Sequence, residues 1–336
     1  MSEKHFVTAS SVNAQWGYFD ATRAPIHEIT SGDTVTINTV SGVPAVTPET
    51  GYTVMPEHRE IHANTERRQT PGHILTGPVA IKGAMPGDTL EIRILDIELA
   101  CDWGWNAIRP TGGTIPEDFP KERLIHIGLD KARSVGLMPW GQEVPLAPFF
   151  GVMGVAPPVE RGSVTSIIPG DFGGNLDLKE LTKGATLYLP VFNDGGLFAC
   201  GDGHAAQGNG EVCITAIETS LNGTFEMHVH KDMPLTMPRA ETATHYICMG
   251  IDPDLDEAAK QALREMIRFI TERTPLSPAD AYSLCSITCD MNCTQLVNQH
   301  KGVHAMLPKE ILAGAGVKLS NSEARSNRGR APTLPG

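Results

Sequence analysis

Three stretches of this chain repeat one local design, a glycine turn followed at once by a run in which apolar and polar residues alternate. They are S-G-D-T-V-T-I-N at Ser31 to Asn38, P-G-D-T-L-E-I-R-I at Pro86 to Ile94 and K-G-A-T-L-Y-L at Lys183 to Leu189. A period of two belongs to a strand with one buried face, and glycine supplies the turn that enters it. Recurrence of the unit predicts a β-sandwich built from repeated hairpin elements. The 34 glycines and 25 prolines favour the same turn-rich β protein over a helical one. In the second stretch the inward set Leu90, Ile92, Ile94 gives way to Leu95, Ile97, Leu99, a change of phase that predicts a bulge or a strand buried on both faces.

Length and charge narrow the function classes. At 336 residues, 40% hydrophobic and 20% charged, the chain can bury a substantial core. A net charge of −12 argues against nucleic acid or an anionic membrane as partner and leaves small ligands open. Seven cysteines, an odd number spread through apolar runs, suit reduced thiols better than a disulfide framework. The opening M-S-E-K-H-F has no apolar signal core and no run approaches a membrane span, so a cytoplasmic protein is expected.

The densest chemistry lies between Gly195 and Thr219, G-G-L-F-A-C-G-D-G-H-A-A-Q-G-N-G-E-V-C-I-T-A-I-E-T. Two apolar, strand-like runs, Leu197 to Cys200 and Val212 to Ile217, are expected to flank a polar loop carrying Asp202, His204, Gln207, Asn209 and Glu211. Extended backbone puts Asp202 and His204 on one face, and Glu211 returns toward them across a turn. The set reads either as a metal or acid/base constellation or as ordinary turn residues with a solvated histidine. Cys200, on an apolar strand without a basic neighbour in the local chain, reads as structural rather than nucleophilic. The chain lacks the nucleophile elbow G-x-S-x-G and the Ser-Ser-Lys pattern.

Other candidates are weaker. In H-R-E-I-H a strand would align His58, Glu60 and His62 on one face and a helix would place the histidines one turn apart, so the three stand as second-tier ligands. Asn222-Gly223 predicts a hairpin turn. Its second strand carries His228 and His230 beside Glu226, which resembles a cupin metal pair but lacks the acidic partner, and a solvated strand face is expected. Between residues 101 and 161, dense glycine and proline with interleaved tryptophan and phenylalanine predict long ordered loops, walling a small pocket or forming an inserted subdomain or oligomer contact. Asp252-Pro253 is expected to start a helix running to about Arg273, and Ser277-Pro278 with Asp280 a second one. Cys285, Cys289 and Cys293 at helical steps read as thiols rather than a cluster. The organisation expected is a β-sandwich region over 1–220 with the 101–161 loop insertion, a hairpin plus α/β part over 221–315, and a disordered basic tail over 316–336.

The wording G-D-G-H-A-A-Q-G-N-G-E, with P-G-D-F-G-G-N-L-D at Pro169 to Asp177, L-Y-L-P-V-F at Leu187 to Phe192, T-G-P-V-A-I-K-G-A-M-P-G-D-T-L at Thr76 to Leu90, D-A-Y-S-L-C-S and T-Q-L-V-N, resembles the acetamidase/formamidase family from Trp16 to about Leu312. The resemblance implies a mainly β fold: a jelly-roll-like β-sandwich with additional β structure and a smaller α/β part near the C-terminus. It implies an amidohydrolase acting on formamide or acetamide, a homo-oligomer, with metal-assisted hydrolysis as the preferred chemistry. Asp202 and His204 would then be ligands of a divalent metal, zinc or else calcium, and Glu211 the base, with Asp177 as a further catalytic group. Gly203, Gln207 and His73 would line the substrate or oxyanion site. Two alternatives are a calcium-binding β-sandwich without catalysis and an amidase acting on a larger amide.

Overall fold

The computed structural model describes residues 2–68 and 71–313; the expected basic tail lies outside the described residues. All three glycine-turn units form strands, Thr34–Asn38, Thr89–Leu99 and Thr186–Pro190, and all three lie in one sheet. The apolar residues that the alternation selects are buried, Val35 and Ile37, then Leu90, Ile92 and Ile94, then Leu187 and Leu189, and in the second strand Thr89 and Glu91 on the other face are buried as well. The expected break of phase is a bulge: Phe225 pairs with Ile94 and Thr224 with Asp96, so Leu95 is passed over and turned outward.

Asn222-Gly223 does not turn the chain. It lies inside the strand Leu221–His230, which fills the space between the first two units and pairs antiparallel with both. The glycine serves packing there: a Cβ at Gly223 would stand 2.4 Å from the Phe225 ring and 2.5 Å from the Phe150 ring of the facing sheet. Tertiary packing of two aromatics thus overrides the local turn signal. The same strand shows that position 220 is no break in the architecture, since residues 221–230 belong to the middle of the first sheet.

The facing sheet contains the strands Ile74–Lys82, Trp103–Ile108, Arg123–Asp130, Phe149–Gly154 and Phe198–His204. Much of 101–161, expected as loops, is therefore sheet; Trp103 and Trp105 are buried strand residues, while Trp140 lies in an exposed turn. Between the sheets one core joins Ile37, Leu90, Ile92, Phe225 and Met227 to Phe150, Val152, Phe198 and Cys200. The first sheet continues into His245–Asp252 and Lys301–Pro308, which carry the helix Leu255–Arg273 on a second core of Ala258, Ala262, Met266, Phe269 and Ile270. That helix is capped by Asp254, whose carboxylate accepts from the N–H groups of Asp256 and Glu257, rather than by Asp252. Ser277 caps the helix Pro278–Thr288 as its spacing to Asp280 predicts. Among the described residues no helix is long and apolar enough to cross a membrane.

Candidate active site

The strand Phe198–His204 is buried along its whole length, and Asp202 and His204 are part of it, not of a loop. The loop starts only at Ala205, and residues 212–217, expected as the return strand, run as turns and irregular chain to the short strand Glu218–Thr219. The consequence is a rigid footing: His204 pairs with Phe149 on one side and Glu218 on the other.

Five ionisable side chains meet at this point, Asp177, Asp202, His204, Glu211 and Glu218, all buried. His204 Nε2 lies 3.3 Å from Asp202 Oδ2 and 3.2 Å from Glu218 Oε2. Its Nδ1 is 2.8 Å from Gln207 Oε1, and Gln207 Nε2 donates to the Asp177 carbonyl oxygen at 2.9 Å. The Glu211 carboxyl lies close to that of Asp177, which accepts from Asn298 Nδ2. His73 faces Asp202 at 3.7 Å while its Nδ1 sits 3.1 Å from the Ser166 carbonyl oxygen, which fixes the ring.

Backbone strain is concentrated on the same residues. Asp177, Asp202 and Glu211 hold φ of 51°, 56° and 44°, the left-handed region that L side chains seldom enter. Such conformations cost on the order of 1–3 kcal/mol each and persist where the surroundings over-determine them, most often at functional sites.

The electrostatics are equally strained. Burial raises the Glu211 carboxyl well above the ordinary range, and the neighbouring Asp177 charge adds to it. Burial, with the Asp202 charge, pushes Asp177 up to about 6. Burial also raises Glu218 despite the charge of His204. Asp202 is the exception: burial opposes its ionisation, but His73 and His204 outweigh it and hold the group low. His204 moves upward because Glu218 and Asp202 overcome the burial of its cation.

Two triplets in this cluster, Asp177 with His204 and Glu211, and Asp202 with His204 and Glu218, bring ligand atoms within 4.8 Å of one another and can hold a metal ion. The fit goes beyond spacing. Asp177 Oδ1, His204 Nε2 and Glu218 Oε2 are buried without a hydrogen-bond partner, a costly state unless something else satisfies them. Gly151, in the strand beside Asp202, leaves the needed room: a Cβ there would lie 2.6 Å from Asp177 Oδ1, 2.7 Å from Asp202 Oδ2 and 2.8 Å from His204 Cε1. The Gln207 contact at the far ring nitrogen of His204 is the kind of support that orients a ligating imidazole.

The other expected site residues fall elsewhere or act differently. Gly203 is paired on both sides, with Phe150 and Thr219, so its amide is part of the ladder rather than free for an oxyanion. Gln207 is tied at both ends of its amide to His204 and Asp177, a positioning arrangement. His58, Glu60 and His62 lie on the helix Pro56–Asn64, so the strand alignment does not occur. His58 meets Ser220, His62 the Gly42 carbonyl, and Glu60 the Ser11 hydroxyl and amide. Their roles are structural contacts outside the cluster. Cys200 packs in the core, its thiol pushed upward by burial. Glu218, Gly151 and Asn298 are members of the site that the sequence reading did not single out.

A cavity of about 490 Å³ opens on Asp177, Asp202, Glu211 and Glu218, with His73 and Trp105 in its wall. A second, of about 550 Å³, is also lined by Glu211, together with Gln207 and Asn209 of its loop.

A model of the Acetamidase/Formamidase family matches residues 26–163 and 158–313. The crystal structure of an acetamidase from Bacillus halodurans is similar over 93% of this chain and 100% of its own, with a TM-score of 0.81 and 32% identity. That of a recombinant predicted acetamidase/formamidase from Thermoanaerobacter tengcongensis is similar over 95% and 100%, with a TM-score of 0.82 and 27% identity. A formamidase of Methylophilus methylotrophus is 28% identical over 253 residues. The match spans 61% of that relative's length, less than two thirds.

Proposed function

Since this chain belongs to the acetamidase/formamidase family, we propose that it hydrolyses short aliphatic amides, formamide or acetamide, to the carboxylate and ammonia. The observation that carries the reading is the convergence of buried, partnerless ligand atoms around the space Gly151 leaves, at the floor of a cavity. Asp202, His204 and Glu218 would hold a divalent ion, and the imidazole among carboxylates favours zinc. Such an ion, when bound, supplies Lewis acidity to the amide carbonyl and lowers the pKa of a water.

The remaining chemistry falls to Glu211 and Asp177. Neighbouring carboxyls in a buried site do not both ionise freely, so the pair retains a proton. Glu211 takes a proton from the attacking water as the new C–O bond forms, and returns it to nitrogen as the C–N bond breaks. Asn298 and Gln207 keep Asp177 and His204 from turning away, and His73 borders the space where the carbonyl would lie. Exposed Ile115, Phe119, Leu137 and Trp140 support a homo-oligomer.

The test is ammonia release from formamide and acetamide, together with elemental analysis of the purified protein. Zinc near one per chain with turnover that a chelator removes is the expected result; a metal-loaded protein inert on every short amide sinks the reading. Calcium without turnover would favour a binding module, against which the nitrogen donor of His204 counts.

A further inference from the structure

The cavity above the carboxylates is larger than a small amide requires and carries charges such an amide cannot use. Its volume of about 490 Å³ is several times the need of acetamide's four heavy atoms, given that a whole water takes about 30 Å³ in the liquid. Two guanidinium side chains line it, Arg67 beyond the helix Pro56–Asn64 and Arg109 just after the strand Trp103–Ile108. Arg67 lies over the Trp16 ring, 5.3 Å from its centre, a contact that restrains the side chain without neutralising it. Among the described residues neither arginine has an ion-pair partner, although Arg68, Arg93, Arg133 and Arg161 all do. Glu122 lines the same cavity and pairs with neither.

Two like charges facing one cavity repel each other. Burial and the Arg109 charge hold the Arg67 guanidinium below its ordinary value. An entering carboxylate relieves that repulsion, and guanidinium forks are the side chains best matched to it. The carboxylates deeper in the cavity, Asp177, Asp202, Glu211 and Glu218, repel the same anion. The cavity is therefore polarised, acidic at the chemistry and basic toward the arginines, with Trp105, Leu124 and Ile214 supplying apolar wall for a short methylene spacer.

We propose that this site is built for an amide bearing its own carboxylate, the monoamide of a short dicarboxylic acid, held amide-first with its acid group on Arg67 and Arg109. The inference rests on the amidase reading above and narrows its substrate class. The reaction balances as hydrolysis: water oxygen bonds to the amide carbon, the C–N bond breaks, and a dicarboxylate and ammonium leave.

The experiment compares kcat/KM for succinamate with that for succinamide, its neutral isostere, in the metal-loaded wild type and in Arg67→Gln, Arg109→Gln and the double variant. Succinamate should be preferred by at least about tenfold, and the double variant should lower that preference by about tenfold or more, chiefly through KM for succinamate. Turnover of acetamide and succinamide with no preference for succinamate overturns the proposal and leaves the amidase reading standing. Equal loss on both substrates in the variants also overturns it. Should no amide be hydrolysed, the amidase reading fails, and calorimetric titration with succinamate decides separately: binding weakened by Arg109→Gln upholds the anion subsite, and no binding to the wild type overturns it.

Discussion

The molecule holds two assemblies of charge, one half-buried and one buried, and they are built on opposite principles. On the first sheet, Glu91 lies between Arg93, at 2.6 Å, and His230, while Glu226 meets Arg93 and His228 at 2.8 Å each. Each of these carboxylates meets Arg93 and a histidine, and burial, which would raise the Glu91 carboxyl, is outweighed by His230 and Arg93, so it stays low. In the facing sheet, four carboxylates crowd two histidines, three carboxyls are raised, and buried ligand atoms lack partners. A charge group that closes on itself holds the fold together. One that leaves its atoms unsatisfied is arranged for something that arrives later.

The sharpest attempt to break this contrast removes one carboxylate from each assembly. Glu211→Gln should lower turnover by about 10²–10⁴-fold while the metal-free protein melts no lower than the wild type, because a buried ionisable group beside Asp177 has been replaced by a neutral one of the same shape; near wild-type turnover would end its assignment as the base. Glu91→Gln should do the reverse, leaving kcat unchanged and costing about 2–3 kcal/mol in denaturant unfolding. That is less than the ~3–5 kcal/mol of breaking a fully buried pair, since Arg93 and His230 are 34% and 31% exposed. Its sign with pH follows: a lowered folded value means the Glu91 contribution is complete above about 4.5 and is lost as pH falls through that lowered value. Equal acid sensitivity in wild type and Glu91→Gln would show that the network contributes nothing.

Smaller effects refine the boundary between the two. Asn298→Ala, which frees Asp177, should weaken turnover by about 10–100-fold, the scale for loss of an outer support at such a site, and equilibrium dialysis of the metal should show its affinity little changed. Cys200→Ala should retain most activity and lose about 1–2 kcal/mol through a small core cavity. An inactive but folded Cys200→Ala protein would instead make the thiol a nucleophile and redraw the whole site.

Legibility in the sequence followed the range of the interaction. Strands over Thr34–Asn38, Thr89–Leu99 and Thr186–Pro190, and the bulge at Leu95, could be read because period-two burial is a local property. Asp202 and His204 were legible as a pair for the same reason, although their strand continues past the glycines that suggested a loop. Glu218 was hidden because it follows the apolar run Val212 to Ile217, read as a core strand. Gly151 was hidden because it contributes only empty space, visible once Asp177 and His204 are beside it. Asn222-Gly223 misled because two phenylalanine rings, one from the facing sheet, decide what that glycine is for.

Asn298 stands 121 residues after the aspartate it supports. The backbone around it is joined to the central loop as well, through Gly210 to Thr294 and Leu296 to Gly210. Time therefore enters the chemistry. A chain being synthesised at about 5–20 residues per second has every ionisable member of its cluster in place by Glu218, yet waits several seconds more for the segment that locks them. A fragment ending before that segment would retain the acidic residues without their clasp, so it should lack the turnover proposed for the whole chain, which an activity assay on a chain ended before residue 290 would check.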